Sequence, residues 1–273
     1  MPTTYAHHRY GRSVFTLLPP EIQGDLEPYM DYYDIGVHGP DILFYYRSFR
    51  HNPFNQYGVR VHHEKAARFF KRAMDVFERQ MGQPEARAYL AGFMTHFILD
   101  STCHPYINRR ARQTGISHTE IETDLDTVLM RDDGLVPPKV KKTAWIHPSY
   151  RKGQIIAPYY GQSPGHVYEG LVWQKAIVDH VFRSRYGVKR YAAGIVRSKA
   201  GPGSREGSVL KVLDEHFSKP RVNPGSRETI STIKDLMDSC RTECADMVVG
   251  LCNALESGDR GFAAHKRLQR NFS

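Results

Sequence analysis

The sequence predicts an all-α fold, a multi-helix bundle. Apolar residues recur at helical spacing along much of the chain. Period-2 runs of β-branched residues, the mark of strands, are scarce. Glycine, proline and serine punctuate the apolar runs where helices would stop and start.

The elements follow in order. Residues 63–81 place Ala66, Phe69, Phe70, Ala73, Met74 and Phe77 on one face. Gly82 ends that helix and Pro84 opens the next. Residues 85–104 continue with Tyr89, Leu90, Phe93 and Phe97, and Pro105 suits a helix ending there. Residues 118–131 repeat the pattern with Ile121, Leu125, Val128 and Leu129, behind a capping box of Ser117 and Glu120. Residues 132–165, rich in Pro, Gly, Lys and Tyr, read as a long connection, and 166–186 as helix. Residues 199–208 and 218–227 read as loops. One last helix is expected over 228–257, with Ile230, Ile233, Leu236, Met237, Cys240, Cys244, Met247, Val248 and Leu251 in register. The basic tail 265–273 is expected to fray. Residues 1–273 are read as one domain, within which the loops 132–165 and 199–227 could bound a C-terminal subdomain.

Composition excludes several classes. A 40% hydrophobic and 25% charged chain of 273 residues suits a soluble globular protein. No apolar run approaches the roughly 20 residues of a membrane-spanning helix. The first residues carry charge and histidine where a secretory leader needs an apolar block, so a cytoplasmic location is expected. Cys240, Cys244 and Cys252 fall in one expected helix and read as reduced, partly buried small hydrophobes. The net charge of +9 favours anionic partners without choosing among nucleic acid, phosphate esters and a membrane surface.

The chemistry concentrates in residues 7–122, which hold His7, Asp41, His62, His96, Asp100, His104, His118 and Glu122. His96 and Asp100 are four apart on one expected helix; His118 and Glu122 are four apart on the next. Each pair therefore shares a helix face and could hold one ion between imidazole and carboxylate. His104 extends the first stripe by a turn. Burying these groups without a metal would leave several unpaired, at a few kcal/mol each. Imidazole and carboxylate without thiolate suit zinc first, then manganese or iron. The ligands outnumber one tetrahedral site and suit two or three ions, an arrangement that hydrolyses phosphate esters.

The ordered segments AHHRYG (6–11), GPDILFY (39–45), VHHEKAARFF (61–70), HFILDSTCHPYI (96–107) and HTEIE (118–122) resemble the zinc-dependent phospholipase C family, whose fold relatives include the fungal single-strand nucleases. The resemblance covers roughly the first half of the chain. It implies a helical bundle of that type and three zinc sites: Asp41, His62, His96 and Asp100; His104, His118 and Glu122; and His7 with Asp100 bridging. His7 is preferred to His8, and His62 to His63, on their distances to Tyr10–Gly11 and to Phe69–Phe70. The chain lacks the N-terminal tryptophan that completes the third site in secreted members; Pro2, exposed by loss of Met1, is the substitute considered.

Three functions are weighed. The first is a zinc-dependent phosphodiesterase of phospholipase C type. It would act on phospholipid with peripheral membrane contact, Asp41 orienting or deprotonating the attacking water. The second is a nuclease for single strands, favoured by charge but lacking ordered base-stacking aromatics beside its basic segments. The third is a non-catalytic metal-binding protein. An HD-type phosphohydrolase is disfavoured because no His-Asp dipeptide occurs.

Overall fold

The computed structural model describes residues 4–48, 52–181 and 222–272. Among these residues there are helices and no strand. The order begins α1 (Thr4–Phe15), α2 (Pro20–Leu26), α3 (Met30–Gly36), α4 (Ile42–Tyr45), α5 (Pro53–His63) and α6 (Ala66–Arg79). It continues with α7 (Pro84–Thr114), α8 (His118–Asp132), α9 (Tyr150–Ile156) and α10 (Pro164–Ala176), and ends with α11 (Arg227–Ser239) and α12 (Arg241–Ser257). The all-α expectation holds.

Helix α7 is the axis of the fold. Residues 88–101 are all buried, so this stretch of the helix is enclosed on every side rather than half-exposed. Its neighbours include α1, α3, α8, α11 and α12. The α3–α7 crossing is unusually close because glycines face each other. A Cβ on Gly36 would stand 2.1 Å from the Tyr89 carbonyl oxygen, and one on Gly92 would stand 2.1 Å from that of Tyr33. Tyr33, Tyr89, Phe93, Phe69 and Phe70 fill the core around the crossing.

Four expectations are corrected. Helix α7 does not end at Pro105; it runs on to Thr114, and Gly115 closes it with φ 71°. A proline deletes one backbone donor and bends a helix without forbidding its continuation. Here Ile107 stays buried beyond it and Arg110 donates to Thr229 of α11 at 3.0 Å, so packing sustains the extra turns. The stretch 132–165 is not a plain connection. Ser149 caps α9, a 3-10 turn follows over Ala157–Tyr160, and Ile155, Ile156, Tyr159 and Tyr160 are buried. These elements are too short for a helical period to declare itself.

The expected last helix is two helices, broken at Cys240. There the Tyr10 hydroxyl of α1 reaches the Cys240 carbonyl at 3.2 Å and its sulfur at 3.1 Å. The tail is not frayed either. Residues Lys266–Gln269 form a 3-10 turn, and Leu268 and Phe272 are fully buried. The four cysteines are free and buried, as small hydrophobes should be. Pro2, the part of the 166–186 helix beyond 181, and the loops 199–208 and 218–221 lie outside the described residues. No helix among the described residues is long and apolar enough to cross a membrane.

Candidate metal centre

Five elements converge on one buried cluster. Helix α1 brings His7; the 3-10 turn Gly39–Asp41 brings Asp41; the last turn of α5 brings His62. Helix α7 brings His96, Asp100 and His104 on successive turns, and α8 brings His118 and Glu122.

Local sequence explains each placement. Ser117 caps α8 by accepting from Glu120 N at 3.1 Å, so the helix starts at His118. His118 and Glu122 then share a face, and the next residue of that stripe, Asp126, has a structural task. Its carboxylate accepts from Ala6 N at 2.9 Å and Tyr5 N at 3.3 Å, and Lys142 Nζ lies 3.2 Å away. A carboxylate on the exposed amides of α1 is favourable for the same reason as any anion at a helix N-terminus. One stripe of α8 thus offers Glu122 to the cluster and docks the helix that carries His7. Asp41 is aimed by its turn. Gly39 has φ 50°, and a Cβ there would meet His96 Cδ2 at 2.3 Å. Tyr160 steadies the turn by donating to the Gly39 carbonyl at 3.1 Å.

The contacts form overlapping triads. His7, His96 and Asp100 make one, Asp41, His62 and His96 a second, and His104, His118 and Glu122 a third; in each, the ligand atoms lie within 4.8 Å of one another. Asp100 joins them: its carboxylate lies 3.2 Å from His7 Nε2, 3.1 Å from His96 Nε2 and 3.5 Å from His104 Nε2. His104 Nε2 is also 3.4 Å from Glu122, which lies 3.1 Å from His118 Nε2. His62 Nε2 lies 3.1 Å from Asp41. The structure therefore brings all eight candidate residues together, and it adds that His96 lies between two triads and stacks on His7 at 4.5 Å. His62 and His118 are the more open members, at 12% and 30% side-chain exposure, and mark the side that faces solvent.

Three imidazoles are held by their other nitrogen. His62 Nδ1 meets the Gly58 carbonyl at 2.7 Å, His104 Nδ1 the Phe272 carbonyl at 2.9 Å, and His118 Nδ1 the Asn108 side-chain oxygen at 2.8 Å. An acceptor on Nδ1 puts the proton there and turns the Nε2 lone pair into the cluster, the habit of metal-binding histidines. Sequence reading missed these acceptors. Asn108 stands four residues after His104 and was legible in principle; backbone carbonyls leave no trace in sequence.

Electrostatics fit a cation. Burial opposes charge on Asp100, but His104, His96 and His7 outweigh it and hold the carboxyl well below the usual carboxylate range. Glu122 is likewise held down, chiefly by His118 and His104, against its burial. Burial depresses His104, but Asp100 and Glu122 carry it up to about 9. His7 and His62 are raised by the same kind of contest. Protonated imidazoles are thus what these carboxylates draw in when only protons are available. Even so, among the described residues His7 Nδ1, both ring nitrogens of His96, Asp41 Oδ2, Asp100 Oδ2 and Glu122 Oε2 have no hydrogen-bond partner. Two of them, His96 Nε2 and Asp100 Oδ2, face each other at 3.1 Å as an ion pair without a hydrogen bond, and a buried set so short of hydrogen bonds is costly. Nitrogen and oxygen donors so placed fit zinc.

The neighbouring histidines have other roles. His8 lies 3.4 Å from Asp34 and stacks on Trp145 at 3.5 Å. His38 is buried and its Nε2 accepts from Trp145 Nε1 at 3.3 Å. His63 is exposed.

The chain is all-α among its described residues and is built around a buried imidazole–carboxylate cluster whose groups could hold metal ions. Residues 6–159 match the family model described as zinc dependent phospholipase C. That span is more than half the chain and contains every residue of the cluster; the chain belongs to this family. No curated protein and no solved structure matches it.

Proposed function

We propose that the chain is a zinc-dependent phosphodiesterase of phospholipase C type, with phospholipid as its substrate class. The observation that supports this most is the cluster itself: overlapping triads, buried, with six polar atoms that have no hydrogen-bond partner among the described residues. Family membership supplies the reaction class.

In this reading Asp41, His62, His96 and Asp100 hold one ion, and His104, His118 and Glu122 a second; His7 with the shared Asp100 holds a third. Zinc, when bound, supplies Lewis acidity toward a phosphate ester and makes water nucleophilic near neutral pH. The chain's own residues do the rest. Asp41 keeps one carboxylate oxygen on His62 and has Oδ2 without a hydrogen bond, so it is our candidate to orient the attacking water and take its proton. Asp100 couples the sites through its three imidazoles. The Nδ1 acceptors of His62, His104 and His118 keep those rings from turning. The free state of the four cysteines suits the reducing compartment expected from the sequence and supports a cytoplasmic enzyme.

The test is a substrate panel on zinc-loaded protein: phosphatidylcholine vesicles, other phosphodiesters and single-stranded DNA. Zinc-dependent release of a phosphorylated headgroup is expected. Cleavage of DNA alone would move the assignment to a nuclease. Bound zinc with no hydrolysis of any phosphodiester would leave a metal-binding protein.

A further inference from the structure

We propose that Phe272 is a positioning residue of the metal centre: its ring, buried beside the imidazoles of His62 and His96, only seats the chain, and its backbone carbonyl sets the tautomer of His104. The inference rests on the zinc reading above and adds a part that lies far outside the family-matched span of 6–159.

The tail is seated by contacts spread along its length. Arg267 donates to the Ile98 carbonyl at 3.2 Å and to the Thr102 hydroxyl, both on α7. The Arg270 carbonyl accepts from Ala66 N at 2.9 Å, at the start of α6. Phe272 N then donates to the His62 carbonyl at 3.1 Å, and Phe272 O accepts from His104 Nδ1 at 2.9 Å. One residue therefore joins the backbone of a candidate ligand of the first ion to the side chain of a candidate ligand of the second. Its ring is fully buried, with centroids 5.9 Å from His62, 6.1 Å from His96, 5.7 Å from Phe93 and 5.0 Å from Phe97.

The chemical consequence follows from the two nitrogens of imidazole. With Nδ1–H donated to the carbonyl, the Nε2 lone pair points at Glu122 and Asp100, 3.4 and 3.5 Å away. Without that acceptor the neutral ring can carry its proton on Nε2, where it cannot bind a metal. Loss of such a partner costs about tenfold to hundredfold in metal affinity.

Three variants separate the carbonyl from the ring. Ending the chain after Asn271 removes both. Ending it after Phe272 keeps an acceptor oxygen at the same place. Phe272→Leu keeps the carbonyl and changes the ring. Each is titrated with zinc against a competing chromophoric chelator. We expect the chain ending at Asn271 to lose affinity about tenfold to hundredfold for one ion and to keep the other. The other two variants should bind as the full chain does. Undiminished affinity in the Asn271 variant overturns the inference, as does an equal loss in Phe272→Leu. If the shortened chain does not fold, nitrogen-15 spectra of the zinc-loaded full chain decide. A His104 ring with Nδ1 protonated and Nε2 on the metal is expected, and the reverse assignment overturns the proposal. Failure of the full chain to bind any zinc would instead overturn the metal reading beneath it.

Discussion

Asp100 touches three imidazoles from a position that is 2% exposed. An asparagine there keeps the shape and removes the charge. Asp100→Asn should therefore release more zinc than the same change at any other carboxylate of the cluster, measured as zinc per chain. Retention of full zinc would remove Asp100 from the site. Gly39 is the second residue on which the geometry turns. Alanine there must hold a left-handed backbone, at about 1–2 kcal/mol, and push its Cβ into the His96 ring. Gly39→Ala should lower both the melting temperature and the zinc affinity; a variant that melts and binds like the parent would show that the turn has room.

His38, itself no candidate ligand, gives a further pH dependence. Burial, aided by nearby His7, His8 and His96, depresses its pKa well below 6.5, so it stays neutral when folded. The unfolded chain binds the extra proton below about pH 6.5, so its contribution is fully present above that pH and is lost as pH falls. The loss approaches about 1.4 kcal/mol per pH unit. His38→Gln should flatten the denaturation midpoint of metal-free protein between pH 6.5 and 5. An unchanged slope would refute this.

At the scale of elements, the α3–α7 crossing is the joint that holds the cluster's central helix. Gly36→Ala or Gly92→Ala places a methyl group 2.1 Å from a backbone oxygen of the opposing helix. Overpacking of that kind costs about 1–3 kcal/mol. Either variant should melt earlier, and a melting curve shows it. The same scale separates what the sequence could tell from what it could not. The stripes of α6, α7 and α8 were legible because each is long and repeats its apolar period, and the His-x-x-x-Asp and His-x-x-x-Glu pairs because they ride on that period. Helix α9 was not, since seven residues show no period and its burial against α10 is decided by tertiary contact. The break at Cys240 and the path through Pro105 were hidden for the same reason: packing overrode a local signal. Asp126 escaped notice because its partners are backbone amides of a helix more than a hundred residues earlier.

At the scale of the molecule, candidate ligands come from residues 7–122, while support for their geometry extends to Tyr160 and Phe272. The basic tail looked like a solvated end because its charges dominate its composition. In the fold, Arg267 is 7% exposed and Phe272 is fully buried behind the histidines. The net charge of +9 is in keeping with an anionic substrate surface but does not choose it; the cluster does more to define the chemistry.

That cluster's claim to metal is best tested by crystals of the zinc-loaded protein, with anomalous diffraction collected on both sides of the zinc edge. The metal reading requires two or three anomalous peaks. One should lie among Asp41, His62, His96 and Asp100 and another among His104, His118 and Glu122, with any third beside His7 and Asp100. Ordered protein with no anomalous peak inside the cluster would contradict it.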